Sequence, residues 1–137
     1  MDVVYRELVE ERGPIKVALV GSRNINDMDF VERQLFRVLR KEGVDIDDVV
    51  IVSGGATGVD TLAQRIARKY GLTIVIHYPQ WWRFRKAAGP MRNAKIVRDA
   101  DVVLAIRTAV SKGTDDLIRK AHIAGKKVYE VLYELKE

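Results

Sequence analysis

Ser53-Gly54-Gly55-Ala56-Thr57-Gly58-Val59-Asp60 stands between an apolar run at 49–52 and a segment, 59–70, whose apolar residues recur at helical spacing. An apolar run, a glycine turn and an amphipathic helix, in that order, read as the start of a strand–helix–strand unit. In such a turn the backbone N–H groups and the positive end of the helix dipole point at one place, where an anion is favoured. Shorter copies of the pattern lie at Gly21-Ser22-Arg23, after the first apolar run, and at Ser111-Lys112-Gly113-Thr114. Three such turns predict one edge of a sheet that holds a phosphate-bearing ligand.

The alternation runs through the chain. Residues 15–20 are apolar except for Lys16 and end at Gly21, which predicts strand one. Asn26 or Asp27 is placed to cap a helix to about Glu42, with Phe30, Val31, Leu35, Val38 and Leu39 inward and Gly43 as its stop. Strand two covers 49–52. Val59, Leu62, Ala63, Ile66, Ala67 and Tyr70 share a helix face, and Gly71 ends that helix. Strand three covers 73–77. Residues 79–88 read as irregular and aromatic, and Pro90 suits the opening of a helix through Arg98. Strand four lies within 101–106, a helix covers 114–124 up to Gly125, and strand five covers 127–132.

Continuous apolar runs imply strands buried on both faces. With right-handed crossovers, the pattern predicts one α/β, Rossmann-like domain, a mostly parallel five-stranded sheet with helices on both faces, and the expected strand order is 3-2-1-4-5. Strands one and four then flank the topological switch, and a ligand crevice opens outside their carboxyl ends. Residues 1–13 read as an arm or short helix, and 14–137 as the domain.

Composition excludes several classes. A 137-residue chain that is 47% hydrophobic fits one domain with one real core. No run is long and apolar enough to span a bilayer, and a start carrying Asp2, Glu7, Glu10 and Glu11 does not read as a signal peptide, so a cytoplasmic location is expected. The absence of cysteine rules out disulfides and thiolate metal sites. His77 and His122 lack partners at ligand spacing, so neither metal nor cofactor is expected. A charged fraction of 31%, rich in Lys, Arg and Glu, is compatible with a thermophile.

The net charge of +5 is uneven. Residues 81–98 carry Arg83, Arg85, Lys86, Arg92, Lys95 and Arg98 with no acidic residue. A basic block alone reads as a solvated face. Trp81, Trp82 and Phe84 are interleaved with this one, and that combination suits phosphates and bases.

Gly21-Ser22-Arg23, the turn Ser53 to Asp60, Pro79 with Trp81-Trp82, Gly89-Pro90-Met91-Arg92-Asn93 and Ser111-Lys112-Gly113-Thr114 together resemble the YspA-like branch of the SLOG superfamily. The resemblance runs from about residue 15 to 131. It implies a Rossmann-like fold and a nucleotide-derived ligand. The Rossmann domain of the DprA family, which binds single-stranded DNA, shares the Gly-Ser-Arg turn and an Arg-Asn motif. Thr57 and Ala94 stand where that family has arginines. The LOG phosphoribohydrolases, which cleave a nucleoside monophosphate, share Gly113-Thr114, but Leu117 stands where they carry a glutamate.

Each singled-out residue has a plain reading and a functional one. Ser53, Gly54, Gly55, Thr57 and Gly58 make either a tight connection or a phosphate and ribose cradle. Ser22 stabilises its turn or meets the ligand, and Arg23 is a surface charge or a planar phosphate donor. Asp60 favours the helix dipole, hydrogen-bonds a sugar hydroxyl or activates water. The resemblance places Arg92 on a phosphate and Asn93 on the ligand or the glycine turn, and Lys95, three residues after Arg92 on the same helix face, is a further cation. Trp82 is the candidate to cover a base. Ser111, Gly113 and Thr114 would give phosphate donors. The leading expectation is binding of a nucleotide or nucleotide-derived ligand by a homodimer or higher homo-oligomer. The alternatives are an N-glycosidic hydrolase using Asp60 and Asp116, and a single-stranded DNA module.

Overall fold

The computed structural model describes residues 13–134, so all of the expected N-terminal arm but Gly13 lies outside the described residues. The elements follow as β1 (Ile15–Gly21), α1 (Met28–Glu42), β2 (Val49–Ser53), α2 (Val59–Tyr70), β3 (Thr73–Ile76), α3 (Trp81–Phe84), α4 (Ala88–Asp99), β4 (Val102–Arg107), α5 (Lys112–Ile123) and β5 (Lys127–Leu132). Short 3-10 turns at Ile46–Asp48 and Arg85–Ala87 precede β2 and α4. All strand pairs are parallel, in the order β3-β2-β1-β4-β5.

The strand period of two sorts the side chains onto two faces. Val17 and Leu19 of β1, with Leu104 and Ile106 of β4, join the core under α1 and α2. Ala18 and Val20, with Val103 and Ala105, join the core under α4 and α5. Helix α1 begins where Asp27 accepts from the Phe30 N–H at 3.0 Å, and it ends at Gly43, whose φ of +67° is the left-handed cap.

The observed elements correct three readings. The aromatic stretch at 79–88 contains a helical turn, α3, because four residues are too few to show a period. Helix α4 starts two residues before Pro90, which still lies in the first turn, where proline costs no hydrogen bond. Strands β3 and β5 are not buried on both faces. They are the sheet edges, and every one of their residues is partly buried or exposed.

Candidate functional site

Strands β1 and β4 end side by side, with Gly21 paired to Ile106. A Cβ at Gly21 would stand 1.9 Å from the Ile106 carbonyl oxygen, so only glycine fits there. The Ser22 N–H then donates to the same oxygen at 3.0 Å. Beyond these ends opens a cleft of about 450 Å³, walled by the turns after β1 and β4 and by α4. This is the switch point of the sheet, where ligands of open α/β folds bind.

The turn after β4 brings into the same wall the N-terminus of α5. The Ser111 hydroxyl makes no cap bond to it, so the first N–H groups of the helix, at Lys112, Gly113 and Thr114, have no intrahelical partner and border the cleft. The Ser111 hydroxyl instead donates to Thr114 Oγ1 at 3.0 Å and lies 2.7 Å from Ser22 Oγ. Ser22 Oγ accepts from the Thr108 N–H at 2.9 Å. With Ser22 donating to Ser111 and Ser111 to Thr114, the proton left over belongs to Thr114, at the cleft.

Two arginines complete the basic lining. Arg23 is exposed and makes no ion pair or side-chain hydrogen bond among the described residues. Arg92 is fixed: one terminal N–H donates to the Gly54 carbonyl at 2.6 Å and its Nε to Asn93 Oδ1 at 3.0 Å. The rest of its guanidinium fork remains for the cleft. Burial lowers the Arg92 pKa, Asp60 raises it, and the Arg23 charge lowers it again. The two cations therefore feel each other, and an anion between them would relieve that repulsion.

Asp60 lines the cleft with only 5% of its surface exposed. Its Oδ2 accepts from the Ala56 N–H at 3.0 Å, while Oδ1 is buried without a partner among the described residues. Burial raises its pKa, and the Ala56 N–H, Arg92, Arg23 and the Gly54 N–H pull the other way. The carboxylate ties the glycine turn to the start of α2.

Asn93 is fully engaged. It accepts from Arg92 and donates through Nδ2 to the Gly113 carbonyl and to Asp116 Oδ2, each at 3.0 Å. Asp116 is also paired with Lys120 at 2.6 Å and Arg119 at 2.7 Å, and it lies outside the cleft lining. Despite burial, those partners hold its carboxyl below the usual value.

The cleft thus gathers Gly21, Ser22, Arg23, Asp60, Arg92, Asn93, Ser111, Gly113 and Thr114 of the residues singled out in the sequence. Ser53, Gly54, Gly55, Thr57, Gly58, Trp82 and Lys95 fall outside its lining. Ser53 is buried at the end of β2 with its hydroxyl unpartnered among the described residues. Gly58, at φ +72°, lets the turn press on the first one: a Cβ there would stand 2.2 Å from the Ser22 carbonyl oxygen, which also accepts from the Val59 N–H. Trp82 and Lys95 are exposed. The candidate site residues read from the sequence left out Asn24, Ala56, Val110, Lys112 and the apolar Val20 and Ile96, while Leu117, noted as standing where the LOG family has a glutamate, also lines the cleft. Ala56 and Lys112 were visible inside their motifs, whereas Val20 and Ile96 looked like ordinary core positions.

The molecule is therefore a Rossmann-like α/β domain with a cation-lined cleft at its switch point. Residues 15–84 match the YspA, cpYpsA-related SLOG family, and the chain belongs to that family. Comparison with curated proteins gives no match. Among solved structures, the X-ray structure of TM1055, a Northeast Structural Genomics Consortium target, is 27% identical with a TM-score of 0.59, over 83% of this chain and 72% of that one. DNA processing protein A (DprA) from Streptococcus pneumoniae is 19% identical with a TM-score of 0.66, over 91% of this chain. The chain spans about half, 52%, of the DprA chain, and at that identity the likeness is one of fold.

Proposed function

We propose that the cleft binds a nucleotide or nucleotide-derived ligand. One observation carries the reading: Arg23, Arg92 and the open N-terminus of α5 converge on one concave site at the switch point. Backbone N–H groups at a helix start and a planar guanidinium are the donors that suit a phosphate. The apolar Val20, Ile96 and Leu117 beside them suit the uncharged part of the ligand. Membership of the SLOG family supports the same ligand class.

Binding is favoured over hydrolysis of the ligand. Asp116 is held by three partners away from the lining, and Asp60, tied to its own turn through Oδ2, is then, among the described residues, the one carboxylate lining the cleft where hydrolysis of an N-glycosidic bond calls for a pair. Leu117 stands in the cleft with no proton to exchange.

A thermal-shift panel of AMP, ADP, NAD, ADP-ribose, cyclic nucleotides and orthophosphate tests this. A ligand that binds only the folded state raises the melting temperature by mass action. The expected result is a rise with one nucleotide class that disappears in Arg23→Ala. Silence across the panel in a well-folded sample overturns the proposal.

A further inference from the structure

The cleft leaves unused the feature that most unbalances the charge of this chain. Tyr78 is 63% exposed, Trp81 48% and Trp82 81%. Large aromatic side chains are rarely left so open unless something covers them. They sit on and just before α3, in the same stretch of chain as Arg83, Arg85 and Lys86, all exposed. No acidic residue interrupts residues 81–98.

The patch is built rather than frayed. Trp81 rests on the start of α4, where a Cβ at Gly89 would meet its ring at 3.4 Å. The Arg83 guanidinium lies 4.9 Å from the Phe84 ring centroid. Arg85 joins α3 to the next turn at φ +49°, a conformation that costs a non-glycine residue energy and that collects at functional sites. Adjacent residues on a helical turn diverge by about 100°, so the two indoles face different directions.

The patch also adjoins the cleft. A Cβ at Gly55 would meet the Tyr78 ring at 2.6 Å, so Tyr78 lies on the glycine turn whose Gly54 carbonyl holds Arg92. The patch therefore borders the cleft, and Tyr78 and the residues of α3 stand outside the cleft lining. Indoles that leave a single helical turn in different directions cannot both lie in one plane, as a flat lipid surface requires, and a flexible polyanion can follow them. Open aromatic faces accept unpaired bases of any sequence, and lysines and arginines beside them meet the phosphates.

From this juxtaposition we infer that the surface formed by Tyr78, α3 and the start of α4 binds single-stranded nucleic acid, as a site separate from the mononucleotide cleft. Trp82 stacks on a base, and Arg83 and Lys86 contact phosphates. The inference concerns another surface and does not require the cleft to bind nucleotides.

The test measures binding of a short fluorescein-labelled oligothymidine by anisotropy at several salt concentrations. The wild type is compared with Trp82→Ala and with the double variant Arg83→Ala, Lys86→Ala. All three positions are exposed, and circular dichroism checks that the variants fold. The expected result is salt-sensitive binding that weakens about fivefold or more in Trp82→Ala. The double variant is expected to lose about 0.7 in log–log salt slope for each phosphate contact removed. The nucleotide-induced thermal shift stays unchanged in Trp82→Ala. Equal oligonucleotide affinity in all three proteins, or no binding at low salt, overturns the inference. So does sedimentation with phosphatidylcholine–phosphatidylserine vesicles, lost in Trp82→Ala, in a protein that ignores the oligonucleotide. Loss of the nucleotide-induced shift in Trp82→Ala would place Trp82 in the cleft and overturn the separate site. Oligonucleotide binding without any nucleotide shift supports this surface and refutes the cleft reading alone.

Discussion

Asp60 sits where opposing effects on one side chain are measurable. Burial favours its neutral form, while the Ala56 N–H, Arg92, Arg23 and the Gly54 N–H favour the charged form, and burial wins. Its pKa in the folded protein is therefore raised above that in the unfolded chain. The folded state then binds this proton more readily than the unfolded state. Stability from this group is greatest in acid and declines as pH rises from the ordinary carboxylate value through the raised one. Asp60→Asn keeps the shape and one oxygen for the Ala56 N–H but carries no charge. The melting temperature of the variant relative to the wild type should rise with pH across that interval and then level off. Thermal unfolding of both proteins over a pH series checks this, and a difference that falls with pH would mean that the arginines outweigh burial. The sequence showed that Asp60 lies in the first turn of a helix. It did not show the burial, which comes from the close approach of two turns distant in sequence.

Elements with a strong local signal were legible, and those defined by contact were not. Helix α2 and strand β5 have the bounds their patterns predicted, because glycines and apolar periodicity mark them within a few residues. Helix α3 escaped because it is one turn long, and the exposure of β3 and β5 depends on which strands became edges. The Arg92-Asn93 pair was legible as a motif, and its task was not. Asn93 ties α4 to α5 through Gly113 and Asp116 and, through Arg92, to the turn after β2. It is thus a strut between elements, with no amide proton left over for a ligand. Asn93→Ala removes three hydrogen bonds from a buried position and strands the Gly113 carbonyl. A loss of about 2–4 kcal/mol is expected in urea denaturation, near 1 kcal/mol per bond plus the unpaired group. A loss below about 0.5 kcal/mol would show that the three elements hold their places without the strut.

At the scale of the whole molecule, sheet order decides where a site forms and packing decides how much stability each site residue carries. The 3-2-1-4-5 order sends consecutive connections to opposite faces between β1 and β4, so the turns that follow them part and leave the cleft. The alternation of runs and helices made the parallel sheet legible but suits other strand orders as well, and the place of the cleft followed only once the order was 3-2-1-4-5. The division of labour inside the cleft was not readable, because Arg23 and Arg92 look alike as letters. Arg23 is exposed and unpaired among the described residues, whereas Arg92 holds Gly54 and Asn93. The two alanine variants should therefore part company. Arg23→Ala should leave the ligand-free melting temperature close to wild type, within the about 0.5 kcal/mol usual for surface changes. It should still weaken a phosphate-bearing ligand about tenfold or more, the scale of one lost charge-assisted hydrogen bond. Arg92→Ala should do both, weakening the ligand and lowering the ligand-free stability by about 1–3 kcal/mol as the Gly54 carbonyl and Asn93 lose their donor. Calorimetric titration with the nucleotide class found by thermal shift, beside melting curves without ligand, separates the two effects. If Arg23→Ala lowers stability and spares affinity, Arg23 belongs to the scaffold and the anion site must be drawn without it.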